Sequence, residues 1–297
     1  MSALFTEEDS ADIVAQSFAG TPDPRLRRIM DSLTRHLHAF VKDVELTEAE
    51  WAAAVAFLTA TGQLCDDSRQ EFVLLSDVLG VSMLVETLNH RTGGEATEST
   101  VLGPFHVAGS PARALGDSIS LDGVGEPCLV TGRVSGPDGE PVPGAELDVW
   151  QAGADGFYDV QQPGVVPESN LRGRFTADPD GEFWFRTVVP RYYPIPGDGP
   201  TGSLLRATGR HPYRPAHIHF IVRPPADDPE GYAPVTTHLF AAGSPYLGSD
   251  AVFGVKESLV REFALVDDPE WAGRVGLPNP FRAVDFPVVL RPAGGVR

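Results

Sequence analysis

The chain has only two cysteines, Cys65 and Cys128, far apart and in regions of different pattern. They make neither a disulfide framework nor a zinc cluster. Any bound metal must therefore be held by His, Tyr or carboxylate. Basic residues are also scarce: 23 Lys and Arg stand against 41 Asp and Glu, for a formal charge of −18. Nucleic acids and anionic membranes are recognised by a basic footprint, so such partners are not expected. No apolar run reaches the length of about 18 residues that a membrane span needs. The opening MSALFTEEDSADIVAQ has neither the basic nor the apolar region of a signal peptide, and a cytoplasmic location is expected. What is present is enough apolar residue, 42%, to build a real core rather than a disordered chain.

The sequence changes pattern near residue 105. Before it, apolar residues recur at helical spacing: Leu26, Met30, Leu33, Leu37 and Val41 mark one helix face. Thr47 and Glu50 form a capping box ahead of Trp51, Val55 and Leu58, with Gly62 as the expected stop. A third helix is predicted over 68–90, with Leu75, Leu79 and Met83 on one stripe. It is apolar around much of its circumference, which implies burial in a core or against a second subunit. After residue 105 the period falls to two in AELDVW, GEFWFRTVV and HIHFIV, and clusters such as GPDGEPVPG and DPDGE punctuate the strands. The expectation is an α+β chain: a helical dimerisation domain over 1–105, then an antiparallel β-sandwich catalytic domain over 106–297.

Chemistry concentrates in HPYRPAHIHF, residues 211–220. On a strand, residues two apart share a face, so Ala216, Ile218, Phe220 and Val222 form an apolar face while His217 and His219 project together from the other. Two imidazoles on one face suggest a shared metal, although an HxH pair alone is weak evidence. Tyrosine is sparse, at six residues, and Tyr158 and Tyr193 both stand where a strand gives way to a loop. For each alone, a partly buried core or rim tyrosine is the favoured reading. If they ligate, phenols with a reference pKa of about 10 need a strong cation, and hard oxygen donors with imidazole suit ferric iron.

The set DGFY, PRYYPIPGDGPTG and HPYRPAHIHF, in this order, resembles the intradiol ring-cleavage dioxygenases. LLSDVLGVSMLVETLN and EATESTVLGPFH look like that family's helical linker domain and its junction with the sandwich, so the resemblance spans nearly the whole chain. It implies one Fe(III) per chain, held by Tyr158, Tyr193, His217 and His219. The YPIP frame places Tyr193, rather than the adjacent Tyr192, at the ligand position. It implies a catechol bound through both hydroxyls, with Tyr193 taking a substrate proton before O2 attacks the ring. Arg214 matches a family arginine that stabilises charge on the activated ring. The substrate-lining positions map onto Leu74, Asp77, Val101, Pro104, Phe105, Ala251 and Val252. SDAVFGVK resembles the hydroxyquinol branch, while catechol and chlorocatechol enzymes are the alternatives. His238 stands where plain catechol enzymes carry Gln, and is a further catalytic candidate because it donates hydrogen bonds and titrates near neutrality. Asp77 at the wall of an aromatic pocket needs a donor, which either a third ring hydroxyl or a neighbouring amide or water supplies. The resemblance also implies a homodimer through the N-terminal helices, with phospholipid in an apolar tunnel there. Two rivals are weighed against it. A prealbumin-like binding module would leave the histidines idle, and a zinc hydrolase would leave the tyrosines idle and lacks HExxH.

Overall fold

The computed structural model describes residues 4–66, 69–91, 94, 96–228 and 231–294. Met1–Ala3 of the opening segment, Ser68 of the expected third helix and Glu95 of the junction motif lie outside the described residues. The chain divides into two compact units, Met1–Gln63 and Leu64–Arg297.

The first unit comprises α1 (Ser10–Ser17), α2 (Pro24–Asp43) and α3 (Glu48–Gln63). Asp23 caps α2 by accepting from the Arg25 amide at 2.8 Å, and Pro24 enters at a position whose N–H is dispensable. The Thr47–Glu50 box closes as expected: the Glu50 amide donates to Thr47 Oγ1 at 3.3 Å, and the Thr47 amide donates to Glu50 Oε2 at 2.9 Å. Such a cap contributes about 1 kcal/mol. Gly62 does not stop α3, which runs on to Gln63. The apolar stripe of α2 exists but is not buried: Leu33 and Leu37 are 47% and 53% exposed. Trp51, Val55 and Leu58 on α3 are likewise exposed. The unforeseen α1 packs on α2 through Arg35–Asp12 (2.6 Å) and His38–Ser10 (3.1 Å) contacts.

In the second unit the helix expected over 68–90 is two helices, α4 (Glu71–Val78) and α5 (Val81–Asn89). The break falls at Gly80, whose φ of +73° is a left-handed conformation that glycine adopts without strain. A Cβ there would also come within 3.3 Å of the Phe253 ring. Leu75 and Met83 are buried as expected, whereas Leu79 at the break is exposed. Compactness groups α4 and α5 with the strands, although the change of sequence pattern comes later, near residue 105.

The strands are β1 (Pro127–Ser135), β2 (Glu146–Gln151), β3 (Arg172–Thr176), β4 (Glu182–Val188), β5 (Tyr193–Pro194), β6 (Tyr213–Arg214), β7 (His217–Arg223), β8 (Val235–Ala241), β9 (Val260–Arg261), β10 (Ala264–Val266), β11 (Phe281–Asp285) and β12 (Val288–Val289). Two short helices interrupt them, α6 (Pro200–Ala207) and α7 (Pro269–Val275). One sheet has the order β3-β2-β7-β8-β9. In the other, β1 pairs with β4 and with β11 and β12, and β10 pairs with β11. β5 and β6 form a separate two-residue ribbon.

The sheets are mixed, which corrects the expected antiparallel sandwich. β1 runs parallel to β11 and β12, and β8 runs parallel to β9. Parallel neighbours are joined by long connections, so turn signals in the sequence reveal only the hairpins.

The alternation read on β7 is realised. Ala216, Ile218, Phe220 and Val222 enter the core between the sheets, where Phe220 meets Phe183, Phe185 and Phe286 at ring separations of 5.1–6.3 Å. Full burial of one such side chain contributes roughly 1.5–3 kcal/mol. A one-residue slip would exchange this face with the histidine face, so the core fixes where His217 and His219 point.

Candidate metal centre and active site

β7 lies between β2 and β8, and the register sets the neighbours of its histidines: Trp150 and His238 flank His219, and Phe240 lies beside His217. Trp150 stacks on the His219 ring at 4.6 Å and 11°. Over the same ring, Gly103 approaches so closely that a Cβ would lie 3.2 Å from His219 Cε1. Both ligand candidates on β7 are 1% exposed. Tyr158 and Tyr193 are buried with Trp150 in one cluster, and Phe105 packs against it.

His217 Nδ1 donates to the Pro215 carbonyl at 2.7 Å, since a carbonyl only accepts. Its Nε2 therefore presents a lone pair toward the centre. His219 Nε2 lies 3.0 Å from that atom and 3.0 Å from Tyr158 Oη. The Tyr193 ring is 5.2 Å from Tyr158 and 5.5 Å from His217. Tyr192, the competitor of Tyr193, turns away and packs on Tyr213 and Tyr246. Donor atoms about 3 Å apart match ligands at right angles around an ion with bonds of about 2.1 Å.

Electrostatics agree with such an ion. Burial, followed by the charge of Arg214, holds the His217 pKa well below the ordinary imidazole value. Burial, followed by the neighbouring His238 and His217, does the same to His219. Both are neutral ligands at ordinary pH. Burial first, then Tyr193, pushes the Tyr158 phenol well above its usual value, so it stays protonated unless a cation takes the proton's place. Two ionised phenols and two neutral imidazoles make a hard donor set, and the four residues fit a ferric ion.

His217, His219 and His238 also offer ligand atoms within 4.8 Å of one another. Yet His238 Nε2 sits 2.7 Å from His219 Nδ1, the nitrogen on the far side of that ring from Tyr158. His238 thus stands behind the cluster, and its other nitrogen meets Thr100 Oγ1 at 2.6 Å.

Arg214 opposes Tyr193 across the β5–β6 ribbon, and its Nη1 reaches His217 Nε2 at 3.3 Å. Asp250 binds it at two atoms, 3.2 and 3.3 Å away. Burial works against the Arg214 charge, but Asp250 and the two phenols outweigh it and raise its pKa. Asp77 is buried on α4, one turn after the buried Leu74. Burial raises its pKa, opposed by the neighbouring Ser82 hydroxyl and by the charge of Arg214. The Ser82 hydroxyl itself donates to Ser76 Oγ at 2.8 Å. Ala251 and Val252 are buried directly after Asp250. Phe105 stacks on Tyr158 at 4.6 Å and meets Tyr193 edge-on at 6.2 Å. Val101 and Pro104 lie in the loop that leads to Phe105, half-buried and exposed respectively.

Four residues of this site escaped the sequence reading: Thr100, Asp250, Arg172 and Asp159. Arg172 is 2% exposed, donates to Asp159 Oδ1 at 2.6 Å and to the Phe105 carbonyl at 2.7 Å, and lies 6.0 Å from the Tyr158 ring centre. It braces both the loop after Tyr158 and the Phe105 wall. Its local sequence, RGRFT, carries no sign of this role, because its partners Asp159 and Phe105 lie 13 and 67 residues away.

Known proteins resemble this chain over nearly its whole length. Residues 103–292 match a family model described as "Dioxygenase", and residues 23–97 match one described as "Catechol dioxygenase N terminus". A hydroxyquinol 1,2-dioxygenase of Rhizobium sp. (strain MTP-10005) is 54% identical over 96% of this chain and 96% of that protein. A 6-chlorohydroxyquinol 1,2-dioxygenase of Cupriavidus pinatubonensis is 49% identical over 97% of this chain and 98% of that protein. The crystal structure of a hydroxyquinol 1,2-dioxygenase from Pseudomonas putida DLL-E4 superposes with a TM-score of 0.89, at 49% identity, covering 96% of this chain and 98% of that one.

Proposed function

This chain belongs to the intradiol ring-cleavage dioxygenases, and from that premise we propose that it cleaves hydroxyquinol (1,2,4-trihydroxybenzene) between its 1- and 2-hydroxyl carbons. Both atoms of O2 enter the product, 3-hydroxy-cis,cis-muconate, the enol form of maleylacetate. The observation that carries this reading is the convergence of His217 Nε2, His219 Nε2 and Tyr158 Oη at 3.0 Å spacings beside Tyr193.

Tyr158, Tyr193, His217 and His219 would hold one ferric ion, which when bound supplies a Lewis-acidic centre for both ring hydroxyls and the electronic coupling that lets O2 attack the ring. The protein's own groups do the rest. Tyr193 Oη takes the proton of one substrate hydroxyl. Arg214, fixed by Asp250 in a dry site, stabilises negative charge developing on the ring and its oxygens. Phe105, Ala251 and Val252 bound the ring and exclude water, with Leu74, Val101 and Pro104 completing the wall. Asp77 accepts from the third hydroxyl, which is what favours hydroxyquinol over catechol. Relatives acting on hydroxyquinol and on its 6-chloro derivative support this choice.

The helical region, read here as a dimerisation domain, offers the exposed stripe of α2 to a second copy and so makes a homodimer. Phospholipid bound among these apolar helices is the accompanying proposal. No helix among the described residues is long and apolar enough to cross a membrane, and a cytoplasmic location is part of the same proposal. Oxygen uptake measured with hydroxyquinol, catechol and chlorocatechols tests the reading: hydroxyquinol should be consumed fastest, and no uptake with any of them would refute it.

A further inference from the structure

We infer that Thr100 and His238 form a hydrogen-bond relay that sets which nitrogen of His219 carries its hydrogen, and that the relay reverses when the cation enters. The inference rests on the reading of Tyr158, Tyr193, His217 and His219 as the iron ligands. His238 is then a positioning residue, because both its ring nitrogens are engaged away from the reacting atoms.

The geometry is a linear chain. Thr100 Oγ1 lies 2.6 Å from His238 Nδ1, His238 Nε2 lies 2.7 Å from His219 Nδ1, and His219 Nε2 lies 3.0 Å from His217 Nε2. His217 Nδ1 closes it on the Pro215 carbonyl at 2.7 Å. All four side chains are at most 1% exposed. Each N···N contact of 2.7–3.0 Å needs one hydrogen between its two nitrogens, so along the chain each ring offers one donor and one acceptor nitrogen.

Such a chain has two self-consistent orderings. In the first, Thr100 donates to His238 Nδ1, His238 Nε2–H donates to His219 Nδ1, and His219 Nε2–H donates to His217 Nε2. Two lone pairs then never confront each other across 3.0 Å: His217 Nε2 accepts, with Arg214 Nη1 as a second donor at 3.3 Å, and Tyr158 Oη lies 3.0 Å from His219 Nε2 as a second acceptor. This ordering suits the cation-free centre. A cation requires the lone pairs of both Nε2 atoms. His219 must then carry its hydrogen on Nδ1 and donate to His238 Nε2, while His238 carries its own on Nδ1 and donates to Thr100 Oγ1. Thr100, His238 and His219 hold three hydrogens in both orderings, so no net proton is gained or lost. Each ring hydrogen has moved from Nε2 to Nδ1, and the threonine hydroxyl has turned from donor to acceptor.

An outer acceptor on a ligating histidine fixes the ring and raises the basicity of its metal-bound nitrogen. A carboxylate would do so at the cost of an added buried charge. A neutral imidazole backed by a hydroxyl does so without changing the charge of the centre. Glutamine at 238 would serve as well, since an amide offers either its oxygen or its NH2 group by flipping.

The test uses full-length protein with 15N-labelled histidine, stripped of metal and then loaded with Ga(III), a diamagnetic trivalent probe. Long-range 15N–1H spectra should place the His219 and His238 hydrogens on Nε2 in the stripped protein and on Nδ1 in the loaded one. Iron release to a chelator should be roughly 10–100-fold faster in His238→Leu, intermediate in Thr100→Val, and close to wild type in His238→Gln. Unchanged tautomers on loading, or wild-type release from His238→Leu, would overturn the relay. If His238→Leu does not fold, the wild-type spectra and Thr100→Val decide the matter. A wild type that takes up neither Fe(III) nor Ga(III) refutes the metal reading itself.

Discussion

Asp250 holds Arg214 with both carboxylate oxygens, at 3.2 and 3.3 Å, while accepting from the amides of Val252 and Gly254 at 3.3 and 2.9 Å. The carboxylate is thereby the hub between the Arg214 guanidinium and the buried turn that carries Ala251 and Val252. Gly254 is part of the fit, because a Cβ there would lie 2.9 Å from Arg214 Nη2. Asp250→Asn should leave a buried guanidinium without its counter-charge. Removing one partner of such a pair costs about 3–5 kcal/mol. The denaturation midpoint should fall accordingly. Arg214→Gln should lower kcat by roughly a hundred- to a thousandfold, the size seen when an oriented electrostatic donor is removed. A variant with unchanged stability and turnover at either position would show that the pair is incidental.

The proposed substrate preference rests on Asp77. Asp77 is 5% exposed, with the Ser82 hydroxyl beside it. Plain catechol leaves part of its accepting capacity unmet, at a cost of roughly 1–3 kcal/mol, or about ten- to a hundredfold in kcat/KM. Asp77→Ala should narrow the gap between hydroxyquinol and catechol, chiefly by lowering turnover of hydroxyquinol. If the variant keeps the wild-type ratio, preference resides in Val252 or elsewhere on the wall.

The iron-free protein should lose stability in mild acid. Burial holds His217, His219 and His238 well below the ordinary imidazole pKa, whereas the unfolded chain protonates them near about 6.5. Below that pH the unfolded state binds more protons, so the unfolding free energy falls as pH falls, by up to about 1.4 kcal/mol per pH unit per histidine. Asp77 has the opposite sign: its raised folded pKa contributes stability at low pH that is lost as pH rises through that value, so it softens the acid loss. Urea midpoints of stripped protein should be clearly lower at about pH 5.5 than at about pH 8, where the imidazoles are neutral in both states. Equal midpoints would mean that these imidazoles are not held neutral by burial.

The exposed stripe of α2 predicts association. Leu33 and Leu37 are about half exposed on one face of the helix. Sedimentation should find a dimer at micromolar concentration, and Leu33→Asp with Leu37→Asp should give a folded monomer. A monomeric wild type would refute the dimer.

The site was far more legible in the sequence than the sheet order was. The period of two around His217 and His219 fixed a shared face, because strand geometry makes side-chain direction a local property. The pairing of β1 with β11 and β12 joins residues some 150 positions apart, and no local signal encodes it. The break at Gly80 was masked by apolar residues on both sides, which read as one continuous helix until the left-handed glycine divided them. Thr100 and Asp250 were invisible for the same reason as the parallel strands: their roles come from partners 138 and 36 residues away.

The central claim is that two tyrosines and two histidines hold ferric iron, and the visible absorption spectrum of protein produced with iron supplied tests it most directly. A reddish protein with a broad tyrosinate-to-iron band is expected, with the band displaced in Tyr158→Phe, which removes one anionic ligand. A colourless wild type, or a band that Tyr158→Phe leaves untouched, would contradict it.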